Sequence, residues 1–142
     1  MENKNEMRLD FPAIPENESF ARMVISAFLM RVNPTLSVVS EVRTAVSEAV
    51  TNAVVHAYDT REGRILLRAC IEGDTLTVEI EDFGRGIANV EEAMQPFFTT
   101  QPDQERTGMG FALMQSFMDV LRVQSAPDCG TVVHMEKTLS EA

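Results

Sequence analysis

The sequence predicts an α+β fold, a two-layer sandwich with helices on one face of a mostly antiparallel sheet. Two observations lead to this expectation. Between residues 17 and 57, apolar side chains recur at three- and four-residue steps, the period of amphipathic helices. After residue 63, runs that alternate apolar and polar residues are joined by turns with glycine, as in antiparallel strands. The length of 142 residues suits one domain, which we expect to span residues 1–142.

The elements before residue 60 are expected to be one strand and two helices. Residues 7–13 alternate apolar and polar like a half-buried strand, and the first helix should run from Asn17 or Glu18 to about Arg31. Most of its apolar side should consist of Phe20, Val24, Ala27, Phe28 and Met30. After a break at residues 33–35, a second helix over about residues 37–57 should have an apolar face of Val46, Ala49, Val50, Ala53, Val54 and Ala57.

The remaining elements should complete the sheet. Residues 64–71 and 75–81 indicate one hairpin, and residues 121–125 and 131–135 indicate a second one. Between the hairpins, we expect a short acidic helix at about residues 89–94 and a helix from Gly110 to about Val120. The loop that contains residues 96–102 has two prolines and adjacent aromatic residues, and a loop of this length in a small domain is often a lid.

The composition excludes several classes of function. The net charge of −10 repels phosphate backbones, so we expect no direct binding to nucleic acid. No apolar run approaches the roughly 20 residues that cross a bilayer, and the charged N-terminus does not resemble a signal peptide. We therefore expect a cytoplasmic protein without membrane contact. Its acidic surface either suits a basic or mixed protein partner or only confers solubility.

A row of polar side chains on the second helix is the first candidate for chemistry. Glu48, Asn52 and His56 are four residues apart, so they lie one above another on one helix face. The simplest interpretation is a solvated face. Alternatively, the Asn52 carbonyl oxygen and nucleotide phosphates would together hold Mg²⁺, and Glu48 would act as the general base of a phosphoryl transfer. For His56, a polar cap near the helix end is the simpler interpretation.

A glycine pair before the last predicted helix is the second candidate. Gly108 and Gly110 directly precede that helix, whose free backbone N–H groups and dipole would favour a phosphate. A turn followed by an ordinary helix start would show the same pattern. Arg106, just before this pair, is either placed to neutralise a terminal phosphate or is a solvent-exposed arginine.

A second glycine pair follows the strand that ends at residue 81 or 82. Asp82 stands beside Gly84 and Gly86, which allow a ligand to approach the backbone closely. The Asp82 carboxylate either forms a local turn or accepts a hydrogen bond from the exocyclic amine of a base. Together, the polar row and the two glycine pairs suggest a site for a magnesium nucleotide.

These motifs, in this order, resemble those of the GHKL superfamily, which includes gyrase, histidine kinases and MutL. The resemblance rests on Glu48-x3-Asn52-Ala53-x2-His56, Asp82-x-Gly84-x-Gly86-Ile87, Arg106-Thr107-Gly108-Met109-Gly110 and Gly130-Thr131. More closely, the chain resembles the small bacterial anti-sigma factors that are also serine-protein kinases, in particular those that control the sporulation sigma factor F. Residues 17–22, 47–53, 96–100 and 108–111 carry this closer match.

The resemblance implies a role for each motif residue. It implies that Glu48 is the catalytic base, that Asn52 holds magnesium, and that Asp82 contacts the adenine amine. Further nucleotide contacts are implied for Gly84, Gly86, Arg106, Gly108, Gly110 and Thr131. Arg22 matches a position that holds either the sigma factor or the anti-anti-sigma factor. The resemblance also implies ATP or ADP with Mg²⁺ as ligands, a homodimer that binds the sigma factor through both subunits, and transfer of phosphate to a serine of the anti-anti-sigma factor.

Two positions depart from the family pattern. Ala57 replaces the usual glycine after the histidine, and Gln101 stands where relatives often carry lysine, which removes a charge from the predicted lid. Two other functions fit the same motifs: the anti-sigma serine kinase of the general stress response, and an anti-sigma binding module in which ATP is only a structural ligand. The presence of Glu48 argues against the second, because a scaffold needs no base there.

Overall fold

The computed structural model describes residues 4–57, 63–94 and 110–140, and it confirms the α+β prediction. Within these ranges, the strands form one antiparallel sheet and the helices pack on one of its faces. The strands are β1 (Lys4–Pro12), β2 (Arg64–Glu72), β3 (Thr75–Asp82), β4 (Val120–Ser125) and β5 (Thr131–Thr138). The helices are α1 (Glu16–Leu29), α2 (Leu36–Asn52), α3 (Val90–Ala93) and α4 (Gly110–Phe117).

The sheet has the strand order β1-β2-β3-β5-β4, so β3 lies in its middle. Both predicted hairpins form, because β2 pairs with β3 and β4 pairs with β5. The register places Asp82 of β3 opposite Thr131 of β5, and Thr131 opposite Ser125 of β4. These three polar residues therefore form a row across one end of the sheet.

The apolar face predicted for the second helix is confirmed. Its apolar face is buried at Val46, Ala49, Val50, Ala53 and Ala57, with Val54 partly buried. The helix packs against both α1 and α4. Because α2 packs against a helix on each side, the positions of the polar residues on its remaining face are well defined.

The predicted apolar side of α1 is correct only in part: Phe28 packs against the core and Val24 is half-buried, but Phe20, Ala27 and Met30 are exposed. The buried line of this helix is Ala21, Ile25 and Leu29, four residues apart, and α1 packs on α2. The helix has two apolar faces, and only the packing against α2 decides which of them is buried. The other face lies on the outside and forms a stripe, called here the α1 apolar stripe, of Phe20, Met23, Ala27 and Met30, all of them exposed.

The C-terminal end of α2 also differs from the prediction of a regular helix to Ala57. The residues Ala53–Ala57 form a π turn instead. Such wider turns are rare and occur often at functional sites. Here the Ala57 carbonyl oxygen accepts a hydrogen bond from the Arg85 N–H at 2.8 Å, so the turn connects α2 to the loop after β3.

The helix α4 is shorter than predicted and ends at Phe117 rather than near Val120. The chain leaves the helix because the Asp119 N–H donates to the Glu136 carbonyl oxygen and the backbone then pairs with β5. Lys137 Nζ donates to the Phe117 carbonyl oxygen at 2.6 Å, which satisfies a group at the helix end. Along the described part of the chain, no helix combines the length and apolarity needed to cross a membrane.

The face of the sheet opposite the helices is covered by ion pairs. His134 lies between two carboxylates, with Nδ1 2.8 Å from Glu79 and Nε2 2.7 Å from Glu136. Arg68 pairs with Glu79 at 3.1 Å, and Arg122 pairs with Glu136 at 3.2 Å. The hydrogen bonds from His134 are the main cause that lowers the pKa of Glu79 and Glu136, and the arginines act in the same direction.

Candidate functional site

Glu48 and Asn52 lie where α2 faces the start of α4. Both side chains are half-buried, and they are one helical turn apart. A Cβ added to Gly110, the first residue of α4, would lie 3.3 Å from Glu48 Oε2 and 3.3 Å from Asn52 Nδ2. Because residue 110 has no side chain, the backbone at the N-terminus of α4 comes close to this acid and this amide. The structure thus brings together three of the predicted site residues.

A second group of predicted residues meets at the end of β3. Asp82 is only 7% exposed, and its Oδ1 accepts a hydrogen bond from the Gly84 N–H at 3.0 Å. The backbone of Thr131, on the neighbouring strand, also favours the charged form of this carboxylate. The local turn considered for Asp82 is therefore present. The turn leaves acceptor capacity for a ligand, because a carboxylate has about four lone-pair positions for hydrogen bonds.

The environment of Asp82 raises the pKa of its carboxyl group. Burial raises the pKa of Asp82 above its usual value, because the charged form loses contact with water. The hydrogen bond from Gly84 and the backbone of Thr131 act in the opposite direction by favouring the charged form, and the nearby charge of Glu81 adds to the rise in pKa. The fold therefore holds a poorly solvated acceptor at this strand end, which is more typical of a binding site than of a surface turn.

Gly84 connects the two groups. A Cβ at this position would lie 2.2 Å from the Ala57 carbonyl oxygen and 2.8 Å from Ala57 Cβ, so only glycine permits the approach. Ala57 follows Asn52 by five residues, and the loop after β3 is thus seated on the end of the element that carries Glu48 and Asn52. Ala57 itself has no left-handed backbone conformation, so its departure from the family's glycine causes no strain there.

The β4–β5 hairpin borders this loop. The Gly130 N–H donates to the Gly84 carbonyl oxygen at 3.1 Å. Gly86 and Gly130 have φ angles of +75° and +74°, which favour glycine. Thr131 directly follows, is 8% exposed and lies opposite Asp82. The predicted residues Asp82, Gly84, Gly86 and Thr131 therefore belong to one connected structure.

The donor and acceptor set of the two groups fits a magnesium nucleotide. Asn52 offers a neutral oxygen and Glu48 an acidic one, and Mg²⁺ prefers oxygen ligands. The start of α4, at Gly110, offers backbone N–H groups and the positive end of the helix dipole, which favour phosphate. Asp82 and Thr131 offer oxygen atoms at the far end of the site, where a base amine would be recognised.

The geometry above includes only predicted site residues that the structure describes. Arg106, Gly108 and the predicted lid with Gln101 lie outside the described residues, and so does the side chain of His56. Arg22 lies on α1, next to the α1 apolar stripe. Its Nε atom pairs with Glu18 Oε2 at 2.5 Å.

Two contributors to the site were missed by the sequence reasoning. The first is the backbone carbonyl of Ala57, which no side-chain motif indicates. The second is Ser125, whose hydroxyl group contacts Ile87, Gly130 and Thr131. The signal for Ser125 was present, because a hairpin with strands ending at 125 and beginning at 131 pairs Ser125 directly with Thr131.

The chain resembles known proteins over nearly its whole length. Residues 11–137 match the family of histidine kinase-like ATPase domains. The chain is 49% identical over 137 residues to the anti-sigma F factor of Thermoanaerobacter sp. (strain X514), covering 96% of each protein. It is 44% identical over 140 residues to the anti-sigma F factor of Bacillus subtilis (strain 168), covering 98% of this chain and 96% of that protein.

Solved structures with a similar fold include parts of two longer chains. The RsbU and RsbW domains of Rv1364c from Mycobacterium tuberculosis match with a TM-score of 0.71 and 19% identity, over 97% of this chain and 33% of that chain. The histidine kinase domain of the blue-light activated kinase EL346 from Erythrobacter litoralis matches with a TM-score of 0.53 and 28% identity, over 72% of this chain and 45% of that one. The fold is therefore that of histidine kinase-like ATPase domains.

Proposed function

Because the chain belongs to the anti-sigma F factors within the histidine kinase-like ATPase family, we propose that it sequesters the sporulation sigma factor sigma-F. In this proposal it also uses Mg-ATP to phosphorylate a serine of the anti-anti-sigma factor. It acts as a single-domain homodimer in the cytoplasm, without direct contact to nucleic acid or membrane.

The observation that supports the kinase activity best is the approach of Glu48 and Asn52 to the start of α4. Both side chains lie close to the backbone of Gly110, and the Asp82–Gly84 loop is seated on the same end of α2. A nucleotide that lies along α2 would reach Asp82 with its base and the N-terminus of α4 with its phosphates. The packing of α2 against α4 would limit the access of water to the reacting end.

The roles of the remaining residues follow from this orientation. Asp82 accepts a hydrogen bond from the adenine amine, next to Thr131, and Gly84 and Gly86 allow the backbone to approach the nucleotide. Gly108 and Gly110 contribute backbone N–H groups to the phosphates, and Arg106 contacts the γ-phosphate. The Asn52 carbonyl oxygen would hold Mg²⁺, which when bound would neutralise charge at the phosphates.

Glu48 provides the base for the transfer. The serine oxygen of the anti-anti-sigma factor attacks the γ-phosphorus, and its proton passes to the Glu48 carboxylate. The bond between the γ-phosphorus and the bridging oxygen breaks, and ADP leaves with that oxygen. Glu48 is held for this role by its position on α2, opposite Gly110.

A phosphate-transfer assay with radiolabelled ATP and purified anti-anti-sigma factor tests this role. Glu48→Gln keeps the side-chain volume and should slow transfer by roughly 10²–10⁴-fold, because the general base is lost, while ATP still binds. Glu41→Gln is the matched control, since Glu41 is an acid on the same helix that pairs with Lys137 at 3.3 Å. Full transfer by Glu48→Gln in single turnovers would remove Glu48 from the mechanism. No transfer by the wild type would favour the alternative in which ATP is only a structural ligand.

The α1 apolar stripe supports the proposed partner binding. Met23 is 66% exposed, Met30 is 54% and Phe20 is 47%. Exposed apolar side chains that are contiguous on one face are typical of protein interfaces. Arg22 lies beside Met23, and its ion pair with Glu18 is partly exposed, so little free energy holds the guanidinium in that pair. We propose that Arg22 exchanges Glu18 for an acidic group of the sigma factor or the anti-anti-sigma factor.

Capture of purified sigma-F on immobilised protein tests this surface. Met23→Glu should abolish capture without changing ATP affinity, because the charge would be buried at the interface. Leu36→Glu is the control, since Leu36 is an 88% exposed apolar residue outside the stripe. Unchanged capture by Met23→Glu would contradict the assignment. The same assay with a stress-response sigma factor, in ATP and then in ADP, distinguishes sigma-F from that alternative, and sedimentation of the wild type measures the homodimer.

A further inference from the structure

Ser125 has an unusual number of polar contacts for one hydroxyl group. Its Oγ lies 2.7 Å from the Ile87 nitrogen, 2.8 Å from the Gly130 carbonyl oxygen and 2.8 Å from Thr131 Oγ1. Ile87 belongs to the loop after β3, whereas Gly130 and Thr131 belong to the β4–β5 hairpin. One side chain therefore ties together both segments that border the proposed base subsite.

The three contacts fix the direction of each hydrogen bond. A serine hydroxyl has one proton and two lone pairs. The Ile87 N–H can only donate and the Gly130 carbonyl oxygen can only accept, so Ser125 accepts from the first and donates to the second. The remaining lone pair of Ser125 faces Thr131, and a hydrogen bond there requires that the Thr131 hydroxyl donates its proton.

This pattern determines what Thr131 can offer to a ligand. Once its proton points to Ser125, the Thr131 oxygen has only lone pairs left. Asp82, directly opposite in the strand pairing, is likewise an acceptor when ionised. The row Ser125-Thr131-Asp82 then presents two acceptors and no side-chain donor at the end of the sheet.

We propose that Ser125 is a positioning residue that makes the base subsite selective for a purine with an amino group, not a carbonyl oxygen, at carbon 6. An amino group donates to the two acceptors, whereas a carbonyl oxygen at that position faces them without a proton between them. This inference rests on the proposed function as an ATP-binding protein. It concerns the choice of base, which is separate from the phosphate chemistry at Glu48.

Calorimetric affinities for three triphosphates test the inference: ATP, inosine triphosphate, and purine riboside triphosphate, which has only hydrogen at carbon 6. The wild type should bind ATP best and inosine triphosphate worst. In Ser125→Ala, the Thr131 proton is free to donate to a carbonyl oxygen. The preference for ATP over inosine triphosphate should therefore fall by roughly tenfold, the value of one hydrogen bond.

Three further variants separate positioning from a purely structural role. Ser125→Thr keeps the hydroxyl group and should restore the wild-type preference. Ser125→Cys, measured in parallel in case Ser125→Ala folds poorly, should lose it, because a thiol is a weak donor and acceptor. Gln124→Ala, an exposed neighbour on the other face of β4, should leave all three affinities unchanged.

Each result bears on a definite claim. If Ser125→Ala and Ser125→Cys weaken all three ligands equally, or retain the full preference for ATP, Ser125 only supports the fold and the inference is overturned. The same follows if the wild type binds inosine triphosphate more tightly than purine riboside triphosphate. If the wild type binds none of the three, the proposed function fails together with the inference.

Discussion

Replacing Gly84 with alanine should destabilise the protein substantially, because the structure leaves no room for one methyl group. The added Cβ would lie 2.2 Å from the Ala57 carbonyl oxygen and 2.6 Å from its carbon, about 1 Å closer than ordinary packing allows. Overpacking of this kind costs about 1–3 kcal/mol. The Arg85–Ala57 hydrogen bond of 2.8 Å would also be lost, at about 1 kcal/mol.

Thermal unfolding of Gly84→Ala measures this cost. A loss of about 2–4 kcal/mol corresponds to a Tm lower by roughly 6–15 °C in a chain of this size. Gly73→Ala is the matched control: Gly73 has a φ of +62° but no atom within 4 Å of the added Cβ, so only backbone strain of about 1 kcal/mol is expected. If Gly84→Ala lowers the Tm no more than Gly73→Ala does, the close contact between the loop and α2 is not as described.

Three further predictions concern charge and helix ends. Adenosine, which has no phosphate to titrate, should bind more weakly as the pH falls through the raised pKa of Asp82. The reason is that the protonated carboxyl group loses acceptor capacity for the adenine amine. Calorimetry that shows constant affinity down to about pH 4 would exclude Asp82 as the contact to the base. His134→Val should be less stable than the wild type at neutral pH, because the hydrogen bonds of His134 to Glu79 and Glu136 are lost. This contribution to stability is full above the unfolded glutamate pKa of about 4.3 and disappears as the pH falls through the lowered pKa values of the two glutamates. A difference in urea unfolding free energy between wild type and variant that is equal at neutral and acid pH would contradict this. Lys137→Met should cost about 1–2 kcal/mol in the same assay by leaving the last carbonyl group of α4 without its donor, and an unchanged midpoint would refute that role.

The parts of the fold with a local signal could be predicted from the sequence. The apolar face of α2 and the two hairpins follow from periods of 3.6 and 2 residues, which depend on neighbours along the chain. The buried face of α1 could not be predicted, because both faces are apolar and the choice depends on contact with α2. The residues placed on its apolar side include Phe20 and Met30, which are exposed and belong instead to the proposed partner surface.

In the site, too, the residues with a local sequence signal could be predicted, whereas the contacts between distant residues could not. Glu48, Asn52, Asp82 and the glycines are recognisable from their order and spacing, and the structure brings the described ones together. The contacts that join them were not predictable, because they connect distant residues: Ile87 and Ser125, for example, are 38 positions apart. Periodicity also gives no sign of the π turn at residues 53–57, since its sequence continues a helical pattern.

Titration of ATP in Mg²⁺ and in EDTA tests most directly whether Asn52 and the start of α4 form a magnesium-dependent phosphate site. We predict that Mg²⁺ strengthens ATP binding to the wild type by at least roughly tenfold, and that Asn52→Ala loses this difference because the amide oxygen is its ligand from the protein. Thr51→Ala, one residue earlier on α2, should retain it. An equal effect of Mg²⁺ on ATP binding by the wild type and by Asn52→Ala would contradict the assignment of Asn52 as the magnesium ligand.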